Sequence, residues 1–480
     1  MTESVVCALA ALDRNRRIMT ISSQDCADVV GEFVTLDAER YYAIRNVDKL
    51  PPFFISLVAD SDHWLFIASN GGLTAGRVSP ETALFPYVTV DKIYDSAPHS
   101  GSKTLLRVTS AGSSCLWEPF NREHDGRYKV TRNLYKNTLG SKLLFEEINH
   151  DLGLAFRYLW MTSDEYGFVR RSELVNLADS ACRVDVLDGV QNILPAGTPR
   201  LTQTNSSYLV DAYKWNELDA GTGLALFTLF STISDRAEPS ESLKASTAFC
   251  LGLEDYRVLL SAEQLESFRR GETVTQEEGK RGTRGAFLVN TTFELGAGAA
   301  VDWQIVANIE QSQASCAELL AQLEDRDALA ADLARSVAAS ADGLARIMAA
   351  ADSEQQTAEE TVSTHHYANV LFNVLRGGIF DDQYRVSATH FARHVESFNR
   401  VAWQAHREFI RALPATLTGA ELRAAVQEQG DARLERLCYE YLPATFGRRH
   451  GDPSRPWNQF AIRLKDERGN KLLTYQGNWR

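Results

Sequence analysis

The sequence lacks paired cysteines. Its seven cysteines stand at positions 7, 26, 115, 182, 250, 316 and 438, and no two of them form a C-x-x-C pair. An odd number of widely spaced cysteines does not fit a disulfide framework. We therefore predict reduced thiols in a cytoplasmic protein.

Long apolar runs and a basic excess are also missing. No window approaches the ~20 apolar residues that a membrane helix requires. Near the start, Arg14, Arg16 and Arg17 follow a short apolar run, the reverse of the order in a secretory signal. The net charge is −13, whereas nucleic-acid binding requires a basic surface. We therefore expect neither a membrane nor a nucleic-acid partner.

The first part of the chain contains a long series of strand-like runs. Short stretches rich in aromatic and β-branched residues, separated by turn residues, recur from residue 41 to residue 309 without helices between them. This arrangement predicts a large antiparallel β-sandwich over residues 1–310. Residues 154–160 and 168–175 should form a hairpin, with Arg170, Arg171 and Glu173 facing water or a partner surface.

The sequence changes character after this series. Apolar residues recur at steps of three, four or seven between residues 312 and 352, with acids on much of the opposite side. This periodicity predicts one long helix, and residues 311–360 are assigned as a helical linker. The chain is also too long for one ordinary core, so we expect two or three domains.

Helices dominate the remainder, residues 361–480. One helix ends at Gly377-Gly378, and the next should run from residue 387 to residue 413, before Pro414. Two more helices are predicted, over residues 419–429 and 431–441. Consecutive helices with short loops indicate a helical array or barrel, which looks incomplete here. The predicted fold class is therefore α+β and multidomain.

Two carboxylates mark a loop of the helical half. Asp381 and Asp382 follow the double glycine, and Arg385 lies close by. Paired carboxylates can shift each other's pKa for acid–base chemistry, although they can equally cap a helix or bind Arg385. His390 and His394 share a helix face, but no H-E-x-x-H pattern is present, so we predict no metal site.

The densest polar group spans residues 446–458. It holds Arg448, Arg449, His450, Asp452, Arg455 and Trp457, between glycines and prolines that predict a fixed loop. Such groups bind phosphate or a sugar ring, and a structural loop of Arg–Asp pairs is the alternative. A second polar, aromatic segment at residues 76–103 either contacts a ligand or packs on a neighbouring domain.

The chain reads Gly477-Asn478-Trp479-Arg480 at its end. This segment, with the order of a β-sandwich, a helical linker and a helical domain, resembles the cellobiose phosphorylase-like glycoside phosphorylases and hydrolases, whose barrel is (α/α)6. The glycogen-debranching glucosidases are next in layout. In the phosphorylase-like family the general acid is an Asp in a Gly-x-Trp-Asn-Asp-type loop. Here the sequence departs at the fourth position, so the resemblance places the acid beyond Arg480 or on another chain.

The resemblance implies a carbohydrate-active protein, the N-terminal part of a glycoside hydrolase or of a phosphorylase with glycosyltransferase chemistry, acting on glucosides by acid catalysis. Asp381, Asp382 and Asp452 are the candidate catalytic carboxylates, and Arg385, Arg448, Arg449, His450, Arg455, Trp457 and Trp479 the candidate substrate-binding residues. An oligosaccharide or glucoside is the expected partner, with no cofactor and with inorganic phosphate as a candidate co-substrate. A non-catalytic binding or assembly subunit, a homo-oligomer, and a missing C-terminal half stay open as alternatives.

Overall fold

The structure is a computed structural model, which describes residues 29–450 except 89–91, 111, 232, 234–242, 352, 355 and 375–384. The described residues divide into two compact units, one up to Leu344 and the other from Ala345 onwards. No described helix is long and apolar enough to cross a membrane.

Strands make up most of the first unit. They are β1 (Val30–Leu36), β2 (Glu39–Arg45), β3 (Phe54–Leu57), β4 (His63–Ala68), β5 (Leu73–Arg77), β6 (Ala83–Phe85), β7 (Gly101–Ser110), β8 (Ser113–Trp117), β9 (Val130–Asn137), β10 (Leu143–Asn149), β11 (Leu154–Ser163), β12 (Gly167–Asn176), β13 (Cys182–Ile193), β14 (Lys214–Asp219), β15 (Leu224–Leu229), β16 (Lys244–Leu251), β17 (Arg257–Leu259), β18 (Gly279–Arg281), β19 (Gly285–Leu295) and β20 (Ala300–Ser312). Its helices are α1 (Arg200–Asn205), α2 (Ser207–Tyr213), α3 (Leu265–Arg269), α4 (Gln313–Gln322) and α5 (Arg326–Ala350), the last of which crosses into the second unit.

These strands form large antiparallel sheets. The largest has eleven strands in the order β1-β2-β9-β10-β11-β12-β20-β16-β15-β14-β18. A five-stranded sheet has the order β17-β19-β13-β7-β8, and a four-stranded sheet consists of β3 to β6 in sequence. Together with the helices that follow, the sheets confirm an α+β multidomain fold with large antiparallel sheets.

The predicted hairpin is present. β11 pairs with β12 from Leu154 opposite Asn176 to Ser163 opposite Gly167. Gly167 has a φ of 92°, and a Cβ there would lie 2.5 Å from the carbonyl oxygen of Ala307 in β20. A side chain at this position would therefore disrupt both the turn and the contact with the next strand.

A buried ion pair joins one face of the eleven-stranded sheet to the five-stranded sheet. Arg170 of β12 and Asp188 of β13 are both fully buried and form an ion pair at 2.7 Å. The prediction that Arg170 faces water or a partner surface is therefore wrong. Its side chain points to the inner face, where it finds the carboxylate that the low-dielectric interior requires.

The opposite face of the large sheet packs against α4 and α5. Met161, Val169, Phe249 and Val306 from the sheet form one buried cluster with apolar residues of the two helices. The prediction of a single helix over residues 312–352 is wrong. The first helix ends at Gln322, and the second begins at Arg326. Leu323, Glu324 and Asp325 form the connection, and the carboxylate of Asp325 accepts the backbone N–H of Ala328 at 3.0 Å. This capping interaction starts a new helix where heptad spacing alone predicts continuation.

The polar segment at residues 76–103 is more ordered than the predicted long loop. It contains the end of β5, the short strand β6 and two 3-10 helices, Pro80–Thr82 and Ile93–Ser96. Ser79 and Thr82 form a reciprocal cap at the first of these helices. Local hydrogen bonds therefore account for part of its polar character.

The second unit consists of short helices and one small ladder. Its elements are α6 (Glu360–Val374), β21 (Arg385–Ser387), α7 (Ala388–Phe398), α8 (Arg400–Ala412), β22 (Thr416–Thr418), α9 (Gly419–Gln427) and α10 (Ala432–His450). The single helix predicted over residues 387–413 is wrong, because Asn399 separates α7 from α8. Its side chain accepts the N–H groups of Val401 and Ala402 at 3.1 and 3.0 Å, which caps a new helix.

Candidate functional site

The structure describes few of the candidate site residues. Arg385 is described with its side chain, and Arg448, Arg449 and His450 are described as backbone at the end of α10. The remaining candidates lie outside the described residues: Asp381, Asp382, Asp452, Arg455, Trp457 and Trp479. Their roles stay predictions.

The loop predicted over residues 446–458 is partly wrong. Residues 446–450 continue α10, which ends at His450. A single glycine in a helix costs only about 1 kcal/mol relative to alanine, and Arg448 and Arg449 are good helix formers. Gly447 is therefore too weak a signal to end the helix. The three candidate residues 448–450 lie on consecutive positions at the end of this helix.

Arg385 lies at a corner built by the small ladder. It pairs with Thr418 across β21 and β22, and its side chain is exposed. Thr418 and Glu421 form a capping box at the start of α9: the Thr418 N–H donates to Glu421 Oε2 at 2.7 Å, and the Glu421 N–H donates to Thr418 Oγ1 at 3.2 Å. This corner therefore combines a helix N-terminus, one guanidinium and one carboxylate.

The hydrogen bonds and charges of the corner favour the ionised form of Glu421. Hydrogen bonds from Thr418 lower the pKa of Glu421, and the charge of Arg385 lowers it further. The negative charge of Glu421 therefore partly offsets the positive potential of Arg385 and of the helix N-terminus. An anionic ligand at Arg385 has to compete with it, whereas a sugar hydroxyl can accept from Arg385 without displacing it.

A histidine–carboxylate pair links α8 to the start of α10. His406 Nε2 lies 2.8 Å from Asp431 Oδ2, and the other oxygen of Asp431 accepts the N–H of Arg433 at 2.8 Å. The hydrogen bond with His406 is the main cause of a lowered pKa for Asp431. Neither His406 nor Asp431 was predicted from the sequence as a site residue. The helix-capping position of Asp431, directly after Gly430, was the available signal.

The two histidines weighed as metal ligands have different surroundings. His390 is exposed, whereas the ring of His394 packs against Phe398 and Tyr441 at centroid distances of 4.6 and 5.3 Å. Both histidines lie on α7, but one is exposed to solvent and the other packs against aromatic rings. The aromatic contacts of His394 are those of a core histidine.

In the first unit, Asp62, His63 and Asp164 place one potential ligand atom each within 4.8 Å of one another. Arg77 already pairs with both carboxylates, at 2.7 Å to Asp62 and 3.2 Å to Asp164. A guanidinium in this position supplies the positive charge that a cation would bring. The group is therefore an ion-pair cluster that joins β5 to the β11–β12 turn.

Residues 380–443 match the family described as Glycoside hydrolase family 149 insertion domain 1. The match confirms the resemblance to a glycoside hydrolase/phosphorylase-like family. It covers Arg385, Glu421, His406 and Asp431 and supports a carbohydrate-active protein. No curated protein sequence matches this chain.

Solved structures give distant similarity. A bacterial glucoamylase complexed with acarbose is 10% identical, with a TM-score of 0.33, over 88% of this chain and 62% of its own. A polysaccharide lyase is 11% identical, with a TM-score of 0.31, over 57% of this chain and 34% of its own. A protein provisionally assigned as a kojibiose phosphorylase, from the human microbiome, is 11% identical, with a TM-score of 0.29, over 55% of this chain and 30% of its own. The chain thus spans less than two thirds of the length of these structures.

Proposed function

We propose that this chain carries the N-terminal part of a glycoside phosphorylase or hydrolase that acts on glucosides by acid catalysis. The observation that carries the proposal is the family match over residues 380–443. The order of a β-rich unit followed by a helical unit is consistent with it. On this proposal, residues 1–310 form a β-sandwich domain, residues 311–360 a linker, and residues 361–480 the start of an (α/α)6 barrel in a cytoplasmic protein.

In such a reaction a carboxylic acid protonates the glycosidic oxygen, while phosphate or water attacks the anomeric carbon. Asp381, Asp382 or Asp452 would supply a carboxylate. Arg448, Arg449 and His450 would bind phosphate or orient sugar hydroxyls, since charged donors recognise both. These roles rest on residue chemistry.

Arg385, Arg455 and the two tryptophans complete the proposed substrate site. Arg385 and Arg455 would donate to sugar hydroxyls, whereas Trp457 and Trp479 would stack on a sugar ring. The exposure of Arg385 supports this role, because its guanidinium is accessible to a ligand.

Binding and turnover of the purified chain test the proposal. Calorimetric titration with glucose, cellobiose and maltose, with and without phosphate, should show sugar binding that phosphate strengthens. Arg449→Ala or Trp457→Ala should weaken that binding at least tenfold in a folded protein, and Tyr208→Ala, a change at an exposed helix side chain of the first unit, is the control. Unchanged binding in both variants would contradict the assignment of these residues.

A non-catalytic binding or assembly subunit on the same scaffold is the second candidate. It is favoured by two described carboxylates of the second unit, Glu421 and Asp431, because both cap helices. A capping carboxylate is held by backbone N–H groups and is a poor proton donor at neutral pH. Release of glucose or of glucose 1-phosphate from cellobiose or maltose by the purified chain would exclude this second candidate.

A further inference from the structure

A cleft of about 600 Å³ lies in the first unit, at one end of its two facing sheets. The connection from β16 to β17, residues 252–256, forms one wall, since it passes from the eleven-stranded sheet to the edge of the five-stranded sheet. β19 contributes Thr291, Thr292 and Phe293, and β20 contributes Val301. Ligand pockets in proteins typically span ~300–1,000 Å³, so the cleft has the size of a small-molecule site.

The backbone of this wall is fixed. Gly252 has a φ of 88°, and a Cβ there would lie 3.0 Å from the carbonyl oxygen of Asp302 and 3.1 Å from Cα of Trp303. Asp255 has a φ of 47°, in the left-handed region. Close packing at Gly252 restricts the connection, and a restricted backbone loses less entropy when a ligand binds.

Tyr256 is held in place from behind by α5. The guanidinium of Arg326 lies 5.8 Å from the centre of the Tyr256 ring, and its Nη1 donates to the carbonyl oxygen of Cys250 at 2.8 Å. The Tyr256 hydroxyl donates weakly to the same carbonyl at 3.4 Å. Burial raises the pKa of Tyr256 to about 12, so the hydroxyl stays a neutral donor at physiological pH. The cleft therefore has a positioned aromatic residue with a polar edge.

The polar groups of the cleft suit hydroxyls. Glu254 and Asp255 line the cleft and are exposed. Thr292 already donates to Asp185 at 3.2 Å, which orients its hydroxyl. Two carboxylates against the single guanidinium of Arg257 disfavour phosphate and other anions. A neutral polyol can donate its hydroxyls to the carboxylates and place its apolar face on an aromatic ring.

We propose that this cleft binds a neutral glucose-containing oligosaccharide, at a site separate from Arg385 and the other residues assigned above. Tyr256 and Phe293 provide apolar surface, and Glu254 and Asp255 accept hydrogen bonds from the sugar hydroxyls. The choice of sugar rests on the proposed function, whereas the position and the neutral charge of the ligand rest on the cleft itself. Binding here does not depend on phosphate.

Hydrogen–deuterium exchange of the full chain with cellobiose and with maltose locates the site. Peptides that cover residues 252–257 and 291–293 should exchange more slowly with at least one sugar, and phosphate alone should leave them unchanged. Absence of protection in these peptides with every sugar overturns the cleft proposal. Slower exchange only elsewhere in the chain overturns it too, and leaves the proposed function standing.

Two variants and a control test the contacts by calorimetry. Tyr256→Ala should weaken sugar binding at the cleft at least tenfold. Asp255→Asn should weaken it about threefold while the backbone is retained, because asparagine tolerates the left-handed conformation. Tyr208→Ala, at a helix residue with 84% exposure outside the cleft, should bind as the wild type does. Wild-type affinity in both cleft variants overturns the proposal.

The same experiments separate this proposal from the proposed function. If sugars protect the cleft peptides but the chain shows no turnover, the cleft site stands and the enzymatic assignment fails. If Arg449→Ala abolishes sugar binding and Tyr256→Ala does not change it, the cleft site fails and the assignment of the helical half stands.

Discussion

Asp188 of β13 receives five hydrogen bonds, two of them from Arg170 of β12 at 2.7 and 3.0 Å. Thr104, Ser172 and Trp303 supply the other three, at 2.5, 3.0 and 2.7 Å. The carboxylate therefore joins strands of two sheets, and its removal leaves a buried guanidinium and three neutral donors without their acceptor.

Asp188→Ala should therefore destabilise the first unit strongly. Breaking a buried ion pair by removing one partner costs about 3–5 kcal/mol, because the remaining charge stays buried and uncompensated. The thermal unfolding midpoint of the first unit, followed by near-ultraviolet circular dichroism, measures the effect. Glu272→Ala, which breaks the exposed pair with Arg270, is the matched control and should shift the midpoint much less. Equal shifts for the two variants would show that the buried pair has no special role.

The strand pattern of the first unit was largely predictable, whereas its buried charges were not. Aromatic and β-branched runs of the predicted series lie in β3, β4, β10, β11 and β12. β9 lacks such a run, because its sequence, VTRNLYKN, is mostly polar, yet Arg132, Asn133 and Lys136 are buried. Polar side chains that are paired inside a protein look in sequence like exposed ones, since pairing depends on strands distant in the chain.

The polar row across the large sheet shows the same difficulty. Arg45, Asn133, Glu146, Arg157 and Glu173 stand directly opposite one another on neighbouring strands. Arg157 donates to Glu146 and to Glu173 at 2.8 Å each. In sequence, Arg157 is 11 positions from Glu146 and 16 positions from Glu173. Their partners follow only from the register, which composition and local spacing do not reveal.

Glu118→Gln should reduce the acid sensitivity of the first unit. Burial raises the pKa of Glu118, but hydrogen bonds and charge from Arg269, with the charge of Lys103, outweigh it and lower the pKa to about 2. A lowered folded-state pKa gives stability that is present above the ordinary value near 4.5 and is lost as the pH falls towards 2. The ionised carboxylate should contribute about 2 kcal/mol more at pH 6 than at pH 3.

Urea denaturation of the wild type and Glu118→Gln at several pH values measures this contribution. The difference between them should be largest above pH 5 and should shrink below pH 4. Glu272→Gln is the control, because hydrogen bonds from Arg270 lower the pKa of Glu272 to about 2 as well, but that carboxylate is exposed and screened by solvent. A stability difference independent of pH would contradict the ionic role of Glu118.

His63→Phe should remove a second pH dependence, in a higher range. Burial, with the charge of Arg77, lowers the pKa of His63 to about 4, and its ring packs edge-on against Phe168 at 4.9 Å. The unfolded chain binds this proton near pH 6.5 and the folded chain does not, so the wild type loses stability as the pH falls from 6.5 to 4. At pH 5 this loss should be about 2 kcal/mol.

Thermal unfolding at pH 7.5 and pH 5.0 tests the role of His63. Phenylalanine keeps an aromatic ring beside Phe168 and cannot take up a proton, so the variant should lose less stability than the wild type between the two pH values. The lost hydrogen bond between Ser61 and His63, at 2.9 Å, affects both pH values and cancels in the comparison. An identical pH dependence in the two proteins would place the titrating group elsewhere.

Asp431 offers a test in the second unit that separates two roles of one carboxylate. It caps α10 through the N–H of Arg433 and bonds His406 of α8. Asparagine caps a helix about as well as aspartate, but it lacks the charge that attracts a protonated histidine. Asp431→Ala should therefore cost about 1 kcal/mol from the lost cap, and Asp431→Asn should lose only the pairing with His406.

Helical circular dichroism during urea unfolding, at pH 5.5 and pH 8, compares the two variants with His406→Ala and with the two double variants. In the His406→Ala background, Asp431→Asn should have no further effect, whereas Asp431→Ala should still lose the cap. If Asp431→Asn remains as destabilising as Asp431→Ala without His406, the cap depends on the charge of the carboxylate and not on its geometry. The family match covers both residues, so sugar binding by Asp431→Asn at wild-type affinity would assign this pair to the support of the helices and not to the substrate site.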